Sequence, residues 1–178
     1  MRARSLLRPL LSAAGLLIAV CALLGLRSVD WFILKKSLRH KFAKVDWIST
    51  AELADWLSKK SQDAPVLLDV RTQEEWNVSH LPGAQRIEPG TSAEVAARGL
   101  KKETAIVTYC AVGYRSGEMA ERLRAAGFTN VRNLEGSIFQ WANEHRPLVR
   151  GNARVAQVHP YSGFWGRLLN DDVRAPLK

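Results

Sequence analysis

Short apolar runs alternate with helix-start signals through the middle of this 178-residue chain, and this alternation constrains the fold most. The runs at residues 66–70 and 105–109 are almost continuously apolar. Such runs are typical of strands that are covered by helices on both faces of a parallel sheet. The alternation therefore predicts an α/β domain in which a parallel sheet is flanked by helices.

The bounds of the predicted elements follow from apolar runs, capping residues and turn glycines. The predicted strands cover residues 45–48, 66–70, 84–88, 105–109 and 130–134. Capping boxes predict three helices, which start at Ser49 with Glu52, at Thr72 with Glu75, and at Thr91 with Glu94. The first of these helices is expected to end near residue 60 and the third near residue 99. Two further helices are predicted, one from the loop after residue 109 to Gly127 and one over residues 137–145.

The chain carries a formal charge of +9, but the excess of positive charge is confined to its N-terminal part. Residues 1–45 hold nine Lys and Arg against one acidic residue, Asp30, whereas the remainder holds seventeen basic and sixteen acidic residues. The predicted domain thus lacks a strong basic face, and the chain is not expected to bind nucleic acid. Basic residues beside an apolar run instead favour contact with an anionic membrane surface.

An uncharged stretch, Leu10–Leu26, follows three arginines and has the composition of a membrane anchor. Its 17 residues are at the short end of the range for a transmembrane helix. A cleaved signal peptide is the alternative, with cleavage near Val20–Ala22. Trp31 and Phe32 resemble an interfacial aromatic belt, which favours an uncleaved transmembrane helix.

The charges that flank this stretch bear on the side of the membrane where the domain lies. Six basic residues between positions 27 and 44 outnumber those before the stretch, and this favours a cytoplasmic domain. The same residues also fit an interfacial amphipathic helix over 29–42. A signal peptide would put the domain on the opposite, extracytoplasmic side.

On this interpretation the chain has three parts. Residues 1–44 form the anchor, or signal peptide, with a basic juxtamembrane segment, residues 45–150 form the α/β domain, and residues 151–178 form an aromatic tail. The tail contains Tyr161, Phe164 and Trp165 and is expected to pack on its own domain. Contact with the mouth of an active site and contact with a membrane are the alternatives.

Cys110 stands on a short loop between the predicted strand at 105–109 and the helix that follows. Free backbone N–H groups and the positive end of a helix dipole surround a thiol at such a position. Arg115 adds a positive charge, and Gly113 gives the loop backbone freedom. These features favour the thiolate, which is the nucleophilic form of cysteine. The other cysteine, Cys21, lies in the apolar stretch, so an intrachain disulfide is not expected.

A loop that curls around a sulfur atom directs successive N–H groups at it and forms an anion cradle. Such a cradle stabilises a thiolate, a bound oxyanion or a persulfide. Arg115 can offer paired donors to an anionic substrate such as thiosulfate. The residues alone leave these chemistries open.

Three motifs of the chain together resemble the rhodanese, or sulfurtransferase, family. They are the loop Cys110–Arg115, with a cysteine, four residues and an arginine; an N-terminal signature, Leu68–Arg71 followed by Glu74–Trp76 and Ser79–Ala84; and a C-terminal signature, Leu134–Trp141. The resemblance covers residues 46–148. Ser79 and Glu135 depart from the glycines that are common in the family, and neither departure involves the nucleophile.

The resemblance implies a parallel-sheet domain in which Cys110 attacks a sulfane-sulfur donor, holds the sulfur as a persulfide and passes it to a thiol or to cyanide. Arg115 would orient the donor, no cofactor is implied, and a thioredoxin-type protein is a candidate reductant. The loop N–H groups that would hold the persulfide belong to Ala111, Val112, Gly113, Tyr114 and Arg115.

Two other functions stay open. A membrane-tethered binding or regulatory module with little turnover would keep the same fold. Arsenate reductases and phosphatases of this fold, by the same resemblance, have five residues between cysteine and arginine, so the shorter loop here favours a single sulfur atom over a tetrahedral oxyanion.

Asp69 and Arg71 stand at the end of a predicted strand and are expected to form a structural charge network with Glu74 or Glu75. The four histidines are dispersed along the chain, so no zinc site is predicted.

Overall fold

The computed structural model describes residues 28–59 and 64–177, and a five-stranded parallel sheet forms its centre. The strands are β1 (Asp46–Ile48), β2 (Val66–Asp69), β3 (Gln85–Arg86), β4 (Ile106–Tyr109) and β5 (Val131–Leu134). Their order is β1-β5-β4-β2-β3. The predicted α/β architecture is confirmed. β3 is shorter than the predicted strand at 84–88, because this edge strand leaves the sheet ahead of the turn at Pro89 and Gly90.

Helices cover both faces of this sheet. Residues 28–41 form helix α1, and the later helices are α2 (Thr50–Ser58), α3 (Gln73–Val78), α4 (Ala93–Ala96), α5 (Tyr114–Ala125), α6 (Ser137–Asn143) and α7 (Gly163–Gly166). Side chains of α2, α6 and the C-terminal segment (residues 148–177) pack together on one face of the sheet. Those of α1, α4 and α5 pack on the other face. All four residues of β4 are buried as a result.

The capping residues of the first two predicted helices are confirmed. Ser49 and Thr72 each accept a hydrogen bond from the backbone of a glutamate three residues later, which completes both capping boxes. The third predicted cap is wrong by one residue, because Ser92 caps α4. Thr91 Oγ1 instead donates to Glu88 O at 2.6 Å and closes the preceding turn.

Helix α1 packs on the domain, and its contacts are most deeply buried at its C-terminal end. Leu38 and Phe42 are buried in the same part of the core as α4 and α5. Phe42 lies so close to α5 that a Cβ at Gly117 would be 2.6 Å from its ring. A helix is thus present where the sequence predicts an amphipathic helix over 29–42, and it forms part of the domain.

The predicted transmembrane helix, Leu10–Leu26, lies outside the described residues, as does Cys21. Within residues 28–59 and 64–177, every helix falls short of the length and apolar character that a membrane crossing requires. Of the predicted aromatic belt, Trp31 packs against the core and Phe32 is exposed.

The C-terminal segment is structured and packs on its own domain, as expected. Leu148–Arg150 and Ala153–Val155 form an antiparallel hairpin, β6–β7, so the division drawn at residue 150 falls inside this hairpin. A 3₁₀ helix, Asp171–Val173, follows α7. Leu168 and Leu169 are buried in the part of the core that contains α6.

Candidate active site

Cys110 lies at the carboxyl edge of the sheet, between the end of β4 and the start of α5. Parallel α/β sheets present their ligand sites at this edge. The residue is buried, with 1% of its surface exposed. The backbone N–H of Gly113 donates to Cys110 Sγ at 3.2 Å. The loop therefore curls back on the sulfur and directs a donor at it, which stabilises negative charge there.

Gly113 closes this curl in a conformation that other residues rarely adopt. Its φ is +113°, in the region that favours glycine, and it precedes the first residue of α5. Its carbonyl accepts a hydrogen bond of 2.8 Å from Asn133 Nδ2 on β5. Backbone geometry and a buried side chain thus hold the loop in place.

The start of α6 supports the same loop from the other side. Ser137 Oγ accepts a hydrogen bond of 3.1 Å from the Cys110 N–H and donates to a backbone carbonyl of β5. The N–H groups of Ile138 and Phe139 donate to the carbonyls of Cys110 and Ala111 at 3.2 and 3.1 Å. Ser137 itself has a φ of +49°, which is uncommon for serine, and its two hydrogen bonds help to hold this conformation.

Arg115 forms a bidentate ion pair with Glu75, in which both N–O distances are 2.8 Å. Burial disfavours the Glu75 carboxylate, but the hydrogen bonds and charge of Arg115 outweigh it and hold the pKa of Glu75 below its ordinary value. Burial also opposes the Arg115 cation, yet Glu75 and the nearby Cys110 together raise the pKa of Arg115. Arg115 is therefore a cation in the site, and the Glu75 carboxylate already balances its charge.

A cavity of about 270 Å³ opens over Cys110. The loop and the start of α5 line it with Cys110, Ala111, Val112, Tyr114 and Arg115, and the C-terminal segment lines it with Tyr161 and Trp165. Arg115 Cζ lies 4.7 Å from the centroid of the Tyr161 ring, within the range of a cation–π contact. The structure thus brings the loop residues together and adds two aromatic side chains, so the tail also borders the mouth of the site.

Asp69 and Arg71 form a separate, fully buried ion pair that does not line the cavity. Arg71 Nε and Nη2 donate to the Asp69 carboxylate at 2.9 and 2.7 Å, and Nη2 also donates to Ser79 O at 2.6 Å. Burial opposes the Arg71 cation, but Asp69 raises the pKa of Arg71 above its ordinary value. The sequence predicts that Glu74 or Glu75 joins this pair, but the Glu75 carboxylate binds Arg115 instead.

No group of three His, Cys, Asp or Glu side chains in the described part of the chain converges as metal ligands would. Cys110 is the side chain that the cavity offers for covalent chemistry.

The sequence predicts Glu75 as a helix cap and as a partner of Asp69 and Arg71, and it assigns no contact to Ser137. Glu75 and Ser137 both lie within the signature segments, so a buried partner for Arg115 and for the loop could be sought there. Contact of Tyr161 and Trp165 with the mouth of the site is one of the alternatives that the composition of the tail leaves open, because nothing in its local pattern selects a packing partner.

Comparison with known proteins agrees with this geometry. The model of the rhodanese-like domain family matches residues 49–144, which is more than half of the chain. The chain therefore belongs to the rhodanese-like domain family. The match includes the Cys110 loop and Ser137 and ends before Tyr161 and Trp165.

The relatives of this chain differ in how much of their length they share with it. Over 107 residues it is 37% identical to the probable adenylyltransferase/sulfurtransferase MoeZ of Mycobacterium tuberculosis, covering 59% of this chain and 26% of MoeZ. Over 134 residues it is 27% identical to the uncharacterized protein YibN of Escherichia coli, covering 70% and 90% of the two chains. The crystal structure of the BH2092 protein from Bacillus halodurans superposes with a TM-score of 0.53 at 27% identity, covering 64% and 84%. The chain thus spans about a quarter of MoeZ.

Proposed function

We propose that the protein is a sulfurtransferase that carries sulfane sulfur on Cys110 as a persulfide. It takes the sulfur from a donor such as thiosulfate and passes it to a thiol or to cyanide. The observation that carries this proposal is the hydrogen bond from the Gly113 N–H to Cys110 Sγ, which lines a cavity. Family membership and the similarity to MoeZ, whose name includes sulfurtransferase, support it.

The proposed reaction has two steps that balance in atoms and charge. The Cys110 thiolate attacks the outer sulfur of thiosulfate, a new S–S bond forms, and sulfite leaves with the electron pair of the bond that breaks. An acceptor thiolate, or cyanide, then attacks the outer sulfur of the persulfide and releases the Cys110 thiolate. The loop N–H groups stabilise the negative charge on sulfur in both steps.

Steady-state turnover of the full-length chain in a nonionic detergent tests this proposal. The full chain is needed because Leu38 and Phe42, which precede the domain start at residue 45, are buried in the core. We expect thiosulfate and cyanide to yield thiocyanate and sulfite, and Cys110→Ser to reduce the rate to that without enzyme. Equal turnover by Cys110→Ser contradicts the proposal. A folded chain without turnover would favour a binding module, and turnover of arsenate or a phosphate ester alone would favour oxyanion chemistry.

We also propose that residues 10–26 anchor the chain in a membrane, with the domain on the cytoplasmic side and a thioredoxin-type protein as reductant. The uncharged composition of that stretch and the basic flank after it support this proposal. Val29, Phe32 and Ile33, near the start of α1, are more than half exposed, as expected for side chains close to a bilayer. Reporters fused after Lys178 test the orientation. Activity of a periplasmic reporter contradicts the proposed orientation. Recovery of the chain in the soluble fraction without its N-terminal residues contradicts the proposed anchor.

A further inference from the structure

We infer that Tyr161 and Trp165 make this site selective for organic sulfane-sulfur donors, whose leaving group carries an apolar or aromatic substituent. The inference rests on the proposed sulfur transfer at Cys110 and names the class of donor for it. Both residues line the cavity, and both lie beyond residues 49–144, which match the family. Recognition of the leaving group by these two rings is therefore a property of the C-terminal segment.

The direction in which the leaving group points follows from the geometry of attack at sulfur. The attacking thiolate, the transferred sulfur and the leaving group lie close to one line during such a displacement. Cys110 is 1% exposed, and the cavity-lining residues from outside its loop and the start of α5 are Tyr161 and Trp165. The leaving group therefore points away from the loop, toward the wall that Tyr161 and Trp165 form.

The charges around the cavity suit a dianion poorly. Arg115 is the one charged side chain among the cavity-lining residues other than the Cys110 thiolate, and Glu75 binds two of its nitrogens at 2.8 Å. The Arg115 guanidinium also makes a cation–π contact with the Tyr161 ring. Lys41 lies over the Tyr114 ring, with Nζ 4.9 Å from the centroid, but is exposed to solvent, where its charge is screened. A cavity with aromatic walls, whose one cation is already paired with Glu75, favours a donor that has an apolar leaving group and a lower charge than thiosulfate.

The aromatic wall is held in position by its own packing. Tyr161 has a φ of +64°, which is unusual for a tyrosine, and its N–H donates to His159 Nδ1 at 3.0 Å. Helix α7 approaches this turn so closely that a Cβ at Gly166 would lie 2.7 Å from Pro160 Cβ. Trp165 packs against the part of the core that contains α2 and α6. A strained backbone persists only where its surroundings hold it, so the turn that carries Tyr161 is held in place next to Trp165.

Single-turnover persulfide formation on the full-length chain, with two probe donors, tests the inference. Thiosulfate releases sulfite, whereas benzenethiosulfonate transfers the same sulfur and releases benzenesulfinate. Because the two leaving groups differ in intrinsic reactivity, the informative quantity is the change in the ratio of the two rate constants on substitution. We expect Tyr161→Ala and Trp165→Ala to lower the benzenethiosulfonate rate about tenfold and the thiosulfate rate less than about twofold.

Two further variants control for indirect effects. Phe164→Ala is matched to Trp165→Ala, because Phe164 is the preceding residue of α7, is 59% exposed and does not line the cavity. We expect it to leave the ratio unchanged. Tyr161→Phe keeps the ring and is expected to keep the ratio as well.

The outcomes separate this inference from the proposed function. The inference is overturned when Tyr161→Ala and Trp165→Ala lower the two rates by the same factor, or lower neither. Persulfide formation in the wild type with an unchanged ratio in the variants overturns the inference alone. Failure of the wild type to form a persulfide from either donor overturns the proposed function and the inference together.

Discussion

Two arginine–carboxylate pairs lie near the carboxyl edge of the sheet, and they differ mainly in their access to solvent. The Arg71 and Asp69 side chains are both 0% exposed, whereas Arg115, paired with Glu75, keeps 24% of its side chain exposed. The first pair also binds Ser79 O and so links the end of β2 to the residue that follows α3. The second faces the cavity and contacts Tyr161. The same kind of ion pair is thus closed to solvent at Asp69 and Arg71 and open to the cavity at Glu75 and Arg115.

Removing the sealed carboxylate is expected to have the largest effect. Asp69→Ala leaves Arg71 buried without its counter-ion, so we expect the free energy of unfolding to fall by about 3–5 kcal/mol in chemical denaturation. Asp46→Ala is the control, because it breaks an exposed pair with Arg124 and should cost about 0–1 kcal/mol. Similar losses in the two variants would contradict a structural role for the buried pair.

The open pair is expected to contribute less to stability. Glu75→Gln removes a charged acceptor, but Arg115 can turn toward solvent, so we expect a loss of about 2 kcal/mol in the same measurement. A loss as large as that of Asp69→Ala would remove the distinction between the two pairs.

The contribution of Glu75 should also depend on pH. The folded state lowers the pKa of Glu75 from 4.5, so its stabilisation is fully present above that value and is lost as the pH falls through the lower, folded pKa. We expect the stability difference between wild type and Glu75→Gln to be constant near neutral pH and to shrink in acid. A difference that grows on acidification would contradict this sign.

An uncharged contact to the loop should have the smallest effect of the set. Ser137→Ala removes the acceptor of the Cys110 N–H, and we expect a loss of about 1 kcal/mol together with slower persulfide formation. Ser58→Ala is the control, because its hydroxyl bonds to the backbone on the exposed end of α2, and it should change stability by less than about 0.5 kcal/mol. Normal persulfide formation in Ser137→Ala would show that the loop does not need this support.

The parts of the fold that could be predicted from the sequence are those encoded by neighbouring residues. A strand, a loop with Cys110 and a helix occur in uninterrupted order, and a capping box is complete within four residues. The error at α4 is of the same local kind, since Thr91 and Ser92 both have a hydroxyl that can cap, and the backbone turn selects Ser92.

The remaining features depend on contacts between distant residues. Glu75 and Arg115 are 40 positions apart, and a capping box at Thr72 gives no sign that its glutamate also binds an arginine. The approach of Tyr161 to Arg115 depends on how the C-terminal segment crosses the domain. Packing of α1 likewise depends on a glycine, Gly117, that is remote from it in sequence.

Intact-mass spectrometry of the full-length chain after a single exposure to a sulfane donor tests the central claim most directly. We expect a gain of one sulfur atom on Cys110, which peptide mapping locates and which cyanide or a thiol removes. Cys110→Ser still contains Cys21 and should gain none, so the variant also controls for reaction at the other thiol. An unmodified wild type, or equal labelling of Cys110→Ser, would contradict the account.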